Sequence, residues 1–349
     1  MKFTIGTELM KDVVSRAIKG VGNNKLIPIT SMMCIELKDG ELTVITTDAT
    51  NYLYINEQHV AGDDFYVVVD ANQFAKLISK MTCENIIMMI DEKLYTMKVR
   101  GNGNYTLELP LDEDGSPVKF PNPLNKLTYG DSFVNRSTIQ VILETIKPAL
   151  ATTLENPCYT GYYVGDSVIA TDTYKIACMD VKVFDTPKLV SSEFLDLVSV
   201  MRDEKISVFM NGNDVVFYTP GCSICGKFME GLEDFAIEPI TNLINQEFDS
   251  SCSVPKSDLL QMLDRVALFV GNYDKNGVHL TFTNAGLQVS SKASNGVEIL
   301  PYVHSENQKD FTCEVDIQML TQEVKAISND LIEIYYGDDS SIKLIDGNI

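Results

Sequence analysis

At 349 residues the chain is too long for one ordinary hydrophobic core, so two or three domains are expected. Its 45% apolar and 22% charged content is that of a folded globular protein and excludes a disordered or fibrous chain. A net charge of −21 excludes a protein that holds nucleic acid on a basic exterior, because phosphate binding draws on Lys and Arg that release counterions.

The start, Met1-Lys2-Phe3-Thr4-Ile5-Gly6, meets charge by Glu8 and holds no signal-peptide core, and no apolar run approaches about 18 residues. A cytosolic protein without a membrane partner is expected. Residues 8–18 (ELMKDVVSRAI) set Met10, Val13, Val14 and Ala17 at i, i+3, i+4 and i+7, one stripe of an amphipathic helix. The run from Cys34 to Val44 alternates apolar and polar about Asp39-Gly40, the pattern of two half-buried antiparallel strands and a tight turn. Val67-Val68-Val69 then leads into Asp70, an N-cap for a second helix with Phe74, Ile78 and Met81 on one face.

The same order returns twice. Residues 137–147 (STIQVILETIK) carry Ile139, Ile142, Leu143 and Ile146; a turn follows at Gly165-Asp166, and Leu189-Val190-Ser191 precedes Phe194, Val198 and Met201. Residues 257–267 (SDLLQMLDRVA) carry Leu259, Met262, Leu263 and Val266; a turn follows at Asn284-Ala285-Gly286, and Cys313-Glu314-Val315-Asp316 precedes Leu320, Val324 and Ile327. Leu331–Tyr336 reads as a late strand. An internal repeat dictates architecture, so the expected fold is α+β, three copies of an antiparallel sheet with two helices each. Pro and polar residues gather near Phe120-Pro121-Asn122-Pro123 and near 241–247, giving domains 1–122, 123–246 and 247–349.

Eight scattered cysteines suit reduced, mostly buried thiols. Cys222-Ser223-Ile224-Cys225 has no second pair or His cluster to complete a zinc site and reads as two positions in a strand. Three histidines in dissimilar contexts, with no HExxH, GxSxG or P-loop, leave no catalytic constellation. Asp112-Glu113-Asp114-Gly115 lacks the remaining EF-hand positions and reads as a loop. No enzyme activity, cofactor or metal is expected.

Across essentially the whole chain the residues resemble the bacterial beta sliding clamps, the beta subunits of DNA polymerase III. The stretches that carry the likeness are Met1–Ile5, Ile27-Pro28-Ile29, Asp39-Gly40 with Leu42, Thr46-Thr47-Asp48, and Gly277–Leu280 with Asn284 and Leu287. The most specific is Ala170-Thr171-Asp172-Thr173-Tyr174-Lys175-Ile176-Ala177, similar to the family's ATDGHRLA segment, with Thr173-Tyr174 where Gly-His is usual. Leu232-Glu233-Asp234-Phe235 stands where the family has FPDY, and Ile345–Ile349 where it has MPMRL, as in a divergent clamp of a phage or mobile element.

The resemblance implies a non-catalytic polymerase processivity factor, a head-to-tail homodimeric ring around duplex DNA, opened by a clamp loader. Closure into a ring is one outcome of a heterologous contact, a filament being the other. It further implies a subunit contact of Tyr105 and Leu107 against Leu268 and Phe269 of a second copy. Polymerases and repair proteins would insert a short peptide into a cleft of Tyr159, Thr171, Thr173, Tyr174, Ile176, Ile237, Lys343 and Ile345.

Charge placement bears on the DNA. Helices are expected at 7–20, 71–80, 135–150, 192–205, 256–270 and 316–327; they hold 12 Lys and Arg against 11 Asp and Glu, leaving 16 against 38 in the remainder. An acidic exterior with a near-neutral helical lining would admit DNA only through the hole, on phosphate contacts that permit sliding. Lys25, Lys76, Lys80, Arg136, Lys147, Arg202 and Lys256 are the candidates. Glu193, Asp196, Asp203 and Glu204 interrupt a uniformly basic lining. The competing readings are a metal-dependent nuclease or hydrolase, and a peptide-binding scaffold that never meets DNA.

Overall fold

The computed structural model describes residues 1–91, 94–123, 132–271, 276–337 and 341–346. Among these, seven helices form: α1 (Thr7–Ala17), α2 (Ala71–Ser79), α3 (Arg136–Thr145), α4 (Ser192–Leu197), α5 (Ile237–Ile244), α6 (Lys256–Ala267) and α7 (Ile317–Ala326). Strands Lys2–Gly6, Ser132–Asn135 and Ser250–Pro255 run straight into α1, α3 and α6, and strands Phe65–Asp70, Lys188–Ser191 and Phe311–Asp316 run straight into α2, α4 and α7. The threefold repetition is therefore one of structure as well as of pattern. All three anticipated N-caps form. The Asp70 carboxylate accepts the Gln73 N–H at 2.7 Å, the Ser191 hydroxyl that of Phe194 at 3.2 Å, and Asp316 those of Gln318 and Met319 at 2.7 and 3.0 Å.

The chain divides into two compact units, Met1–Gln140 with Val190–Glu230, and Val141–Leu189 with Gly231–Ile349. The first copy lies in the first unit, the third copy in the second, and the middle copy contributes to both. In the first unit, one antiparallel sheet runs in the order Lys2–Gly6, Asn85–Asp91, Thr96–Arg100, Asn104–Glu108. A second has eight strands, because Tyr52–Glu57 of the first copy pairs antiparallel with Cys222–Lys227 of the middle copy, Ile55 opposite Cys222. Side chains from both copies, Cys34, Ile45, Tyr54 and Val68 with Phe209, Val216 and Cys225, share one core under Val118 and Phe120. The Asp39-Gly40 turn is as anticipated, with φ of 51° and 81° at its two residues, the left-handed pair that a tight hairpin requires.

Arg16 reinforces that junction. Only 9% exposed, it donates from Nε to the Val200 carbonyl at 3.1 Å and from Nη2 to the Gly221 carbonyl at 3.4 Å, and lies 3.7 and 3.8 Å from Asp12 and Glu57. A guanidinium carried by the first copy thus satisfies two backbone acceptors of the middle copy.

In the second unit, α6 and α7 pack together and bury Leu259, Met262, Leu263, Val266, Leu320 and Val324 against Val278, Leu280, Phe282, Ile332 and Ile334. Val297–Leu300 ends one sheet of this unit and Ile342–Ile345 ends another. No helix among the described residues is long and apolar enough to cross a membrane.

Four helix boundaries differ from expectation by three residues or more, the first being α1, which ends at Ala17 and gives way to a 3₁₀ turn over Ile18–Gly20. α4 does not reach residue 205: it passes through a 3₁₀ turn at Val198–Val200, and Met201 is extended, with φ −72° and ψ 144°. Two β-branched valines disfavour continuation, and Lys205 already opens a strand that pairs with Asn135. α6 stops at Ala267 rather than 270, and α3 at Thr145, where Pro148 forces a 3₁₀ turn over Lys147–Ala149. α5 was not anticipated. Its polar Thr241 and Asn242 masked an Ile237, Ile240, Leu243, Ile244 stripe, and Pro239 sits in its first turn, where proline is tolerated.

Cys222 and Cys225 lie in a strand, as expected, and all eight thiols are free. Burial pushes Cys34, Cys222, Cys225 and Cys252 up to about 12 and Cys313 to about 11. Since the thiolate is the reactive form, a thiol reagent at pH 8 should modify half-buried Cys83 and Cys178 first, and all eight only after denaturation. Rapid native reaction of the Cys222 and Cys225 pair would contradict this packing.

Candidate functional site

The most specific stretch of the sequence forms a loop whose hydrogen bonds are written into its residues. The Thr171 hydroxyl donates to the Lys175 carbonyl at 2.7 Å and accepts the Thr173 N–H at 3.0 Å, while Asp172 accepts the N–H groups of Tyr174 and Lys175 at 2.9 and 3.0 Å. The first copy repeats it: Thr47 bonds the Asn51 carbonyl and the Ala49 N–H at 2.7 and 3.0 Å, and Asp48 accepts from Thr50 and Asn51 at 2.8 and 2.6 Å. Both loops turn through a left-handed residue, Ala49 at φ 85° and Thr173 at φ 78°. A β-branched residue is disfavoured there, and Thr173 is where the family's usual residue is glycine. The loop throws Tyr174 into solvent, 86% exposed, and returns Ile176 half-buried into strand Ile176–Met179.

Around that strand the second unit gathers aromatic and apolar side chains. Tyr159 leaves a 3₁₀ turn at Pro157–Thr160 and meets the buried Phe235 ring edge-on at 5.3 Å, and Tyr163 stacks on Phe235 at the same distance. Such ring pairs contribute about 0.5–1.5 kcal/mol each beyond buried area. α5 follows Phe235, packs against Ile176–Met179 and carries half-buried Ile237 and exposed Leu243. Lys343 donates to the Ile244 carbonyl at 2.8 Å, tying strand Ile342–Ile345 to the end of α5. Ile345 shares the face of Lys343. Tyr159, Ile176, Ile237, Lys343 and Ile345 are therefore drawn onto one neighbourhood, with Thr171 buried beneath the loop. Gly347, Asn348 and Ile349 lie outside the described residues.

Sequence reasoning missed Phe235, Tyr163 and Lys175. The first stands in the Leu232–Phe235 segment already singled out, and the last within the loop segment itself. Lys175 is almost buried; its ammonium donates to the Pro148 carbonyl and to Glu323 of α7 at 2.9 Å, anchoring the loop from below.

The basic candidates part into two groups. Lys25, Lys76 and Lys80 are exposed. The others have partners: Arg202, itself exposed, pairs with Asp12, half-buried Lys256 donates to the Lys325 and Ile327 carbonyls at the end of α7, and half-buried Arg136 lies 4.0 Å from Glu204. Lys147 is half-buried. Glu204, placed on a helix by the sequence, instead precedes the strand Lys205–Asn211 and accepts the Ser137 hydroxyl and N–H, capping the start of α3, bonds that hold its own carboxyl below the usual range.

For the subunit contact, Leu268 and Phe269 follow the end of α6 and are 81% and 52% exposed. Phe269 lies over Gly296, beside the sheet-ending strand Val297–Leu300, where Val297 and Ile299 also face out. Asn104–Glu108 ends a sheet in the first unit. There Tyr105 is exposed, but Leu107, at 6%, is packed within its own chain.

Residues 1–115 match the family described as DNA polymerase III beta subunit, N-terminal domain. The crystal structure of the beta subunit from Streptococcus pyogenes superposes with a TM-score of 0.86 at 18% identity, covering 100% of this chain and 96% of that one. The chain has the DNA sliding-clamp fold. The Bacillus subtilis sliding clamp gives 0.85 at 17% identity, with 100% and 96% coverage. In sequence, the Bacillus subtilis (strain 168) beta sliding clamp is 21% identical over 325 residues, 84% of this chain and 81% of that protein. A Pseudomonas aeruginosa sliding clamp bound to griselimycin also shares the fold, with a TM-score of 0.84 at 14% identity and coverage of 100% and 96%.

Proposed function

We propose that the protein is a DNA polymerase processivity factor: a non-catalytic clamp that encircles duplex DNA and tethers a polymerase and other replication or repair proteins. The observation that carries this reading is the sliding-clamp fold over the full length of the chain; the packing of α5 against the Ile176–Met179 strand is consistent with a partner site there. This fold belongs to subunits that tether rather than cut, which sets aside the nuclease and hydrolase readings.

The chain is read as three clamp domains, 1–122, 123–246 and 247–349, two copies closing head to tail. The ends of two sheets suit such a closure, because an unpaired edge strand is a ready template for pairing with another chain. Tyr105 on Asn104–Glu108 would meet Leu268 and Phe269 beside Val297–Leu300 of the second copy. Lys25, Lys76, Lys80 and Arg202, with Arg136, Lys147 and Lys256, are the residues assigned to phosphate, where sequence-independent contacts leave the ring free to slide. A clamp loader opens the ring.

Partner proteins would bind through a short peptide whose apolar side chains enter the cleft of Tyr159, Ile176, Ile237 and Ile345; buried apolar anchors carry most of the affinity at such sites. A pull-down with an immobilised clamp-binding peptide tests this. Wild type should be retained, and Ile176→Asp should weaken binding by about thirtyfold, the cost of losing one anchor at a hot spot. Equal retention of both proteins, or of neither, would refute the assignment.

A further inference from the structure

The three segments of the second unit that would build the cleft, 150–185, 231–247 and 341–346, contain ten carboxylates and only three lysines. Each lysine already has a partner: Lys175 holds Pro148 and Glu323, Lys343 holds the Ile244 carbonyl, and Lys182 lies 3.5 and 3.2 Å from Asp166 and Asp185. Glu155, Asp180, Glu233, Asp234 and Glu238 are exposed along the same segments. Their field reaches the cleft itself. Burial and then Asp234 push the Cys158 thiol up beside Tyr159, and burial and then Asp166 push up the Tyr163 hydroxyl, whose ring stacks on Phe235.

We infer that the partner of this cleft is a peptide whose apolar anchors are flanked by Lys or Arg, and that Glu233 and Glu238 select it over a peptide with acidic flanks. The inference rests on the peptide-site reading above and adds the charge of the ligand. Apolar anchors fill the floor, while complementary charge at the rim raises the association rate and rejects partners of like charge. Glu238 occupies the first turn of α5, and Glu233 lies two residues before Phe235. A basic residue at either end of the anchor run would meet one of them without entering the floor.

Two fluorescent peptides with the same apolar core, one with Lys and Arg flanks and one with Asp and Glu flanks, test this by anisotropy on the full chain. At about 0.05 M salt the basic peptide should bind at least tenfold more tightly, and the ratio should fall towards one at about 0.5 M, where exposed charges are screened. The double change Glu233→Lys, Glu238→Lys should reverse the preference. The same change of charge made by Glu113→Lys, Asp114→Lys, in a loop of the first unit, should leave the preference in place. Equal binding of the two peptides, or a preference lost equally through Glu113→Lys, Asp114→Lys, would overturn the inference and attribute the effect to net charge alone. If neither peptide binds and Ile176→Asp changes nothing, the peptide site itself is wrong and the inference falls with it. Binding of both peptides that Ile176→Asp abolishes equally, with no difference between flanks, refutes only the charge selection.

Discussion

Replacing Leu268 and Phe269 together by glutamate should convert the protein from a species near twice 38.8 kDa to one of 38.8 kDa in light scattering at micromolar concentration. Because the two side chains are 81% and 52% exposed, the change removes little from the subunit's own core, and its thermal stability as a monomer should stay near the wild-type value. The effect falls on association. A two-copy ring closes through two identical contacts, so the double variant alters four side chains per dimer. Each loses about 1.5–3 kcal/mol of apolar burial at full contact and adds a carboxylate to be desolvated. Even half of the lower total, about 3 kcal/mol, weakens the dimer by at least about a hundredfold. Tyr105→Glu should act in the same direction from the opposite side. Leu107→Glu is not an equivalent test, since Leu107 is packed within its own chain and its replacement would unfold the strand that carries it. A variant that still runs as a dimer at the same concentration would remove Leu268 and Phe269 from the interface.

Arg16→Met should lower the stability of the first unit by about 2–4 kcal/mol, from the loss of charged hydrogen bonds worth about 1.5–3 kcal/mol each. Methionine keeps most of the aliphatic stem, so the loss is chiefly that of the guanidinium. The Val200 carbonyl is left without this donor at a buried site, and Asp12 and Glu57 lose a shared counter-charge. Asn56 still donates to the Gly221 carbonyl at 3.2 Å, which keeps the estimate below the sum of two full bonds. Urea denaturation should show an earlier first transition with unchanged slope. A shift under about 0.5 kcal/mol, the range of ordinary surface substitutions, would mean that the paired strands Tyr52–Glu57 and Cys222–Lys227 hold the two copies together without it.

Local pattern carried the fold. The stripes Met10–Ala17 and Leu259–Val266 are buried as their spacing requires, and Asp70, Ser191 and Asp316 cap helices because the acceptor atom and the orphan N–H lie within three residues of each other. The ends of helices were less legible. The acidic and basic run from Arg202 to Lys205 favours a helix locally, yet pairing of Lys205–Asn211 with two neighbouring strands takes precedence. Cysteines read as buried strand residues are so, since a thiol without a partner cluster behaves as a small apolar side chain.

Of the candidate site, local pattern spelled out only the loop, while Tyr159, Ile237, Lys343 and Ile345 came from the resemblance alone. Thr171, Asp172 and Ile176 form a motif in which every hydrogen bond is local, so sequence alone could find it. The wall opposite depends on contacts far apart in the chain: Phe235 against Tyr159 and Tyr163, Lys343 on Ile244, and Lys175 on Glu323, 148 residues away. No periodicity encodes such pairs. The same limit applied to charge. Counting Lys and Arg over helices treated Lys256, Arg202 and Lys80 alike, whereas the first holds the end of α7, the second holds Asp12 and the third is exposed.

Topological linkage to DNA tests the central claim most directly. The protein is incubated with a singly nicked circular duplex long enough for subunits to exchange around it, then passed over a sizing column before and after one restriction cut. A ring that encircles DNA should travel with the circle, and the cut should release it through the free ends, at salt high enough to screen exposed charges. Retention that is equal on circle and linear duplex, or lost from both at that salt, would show a protein that touches DNA only from outside and would contradict the clamp.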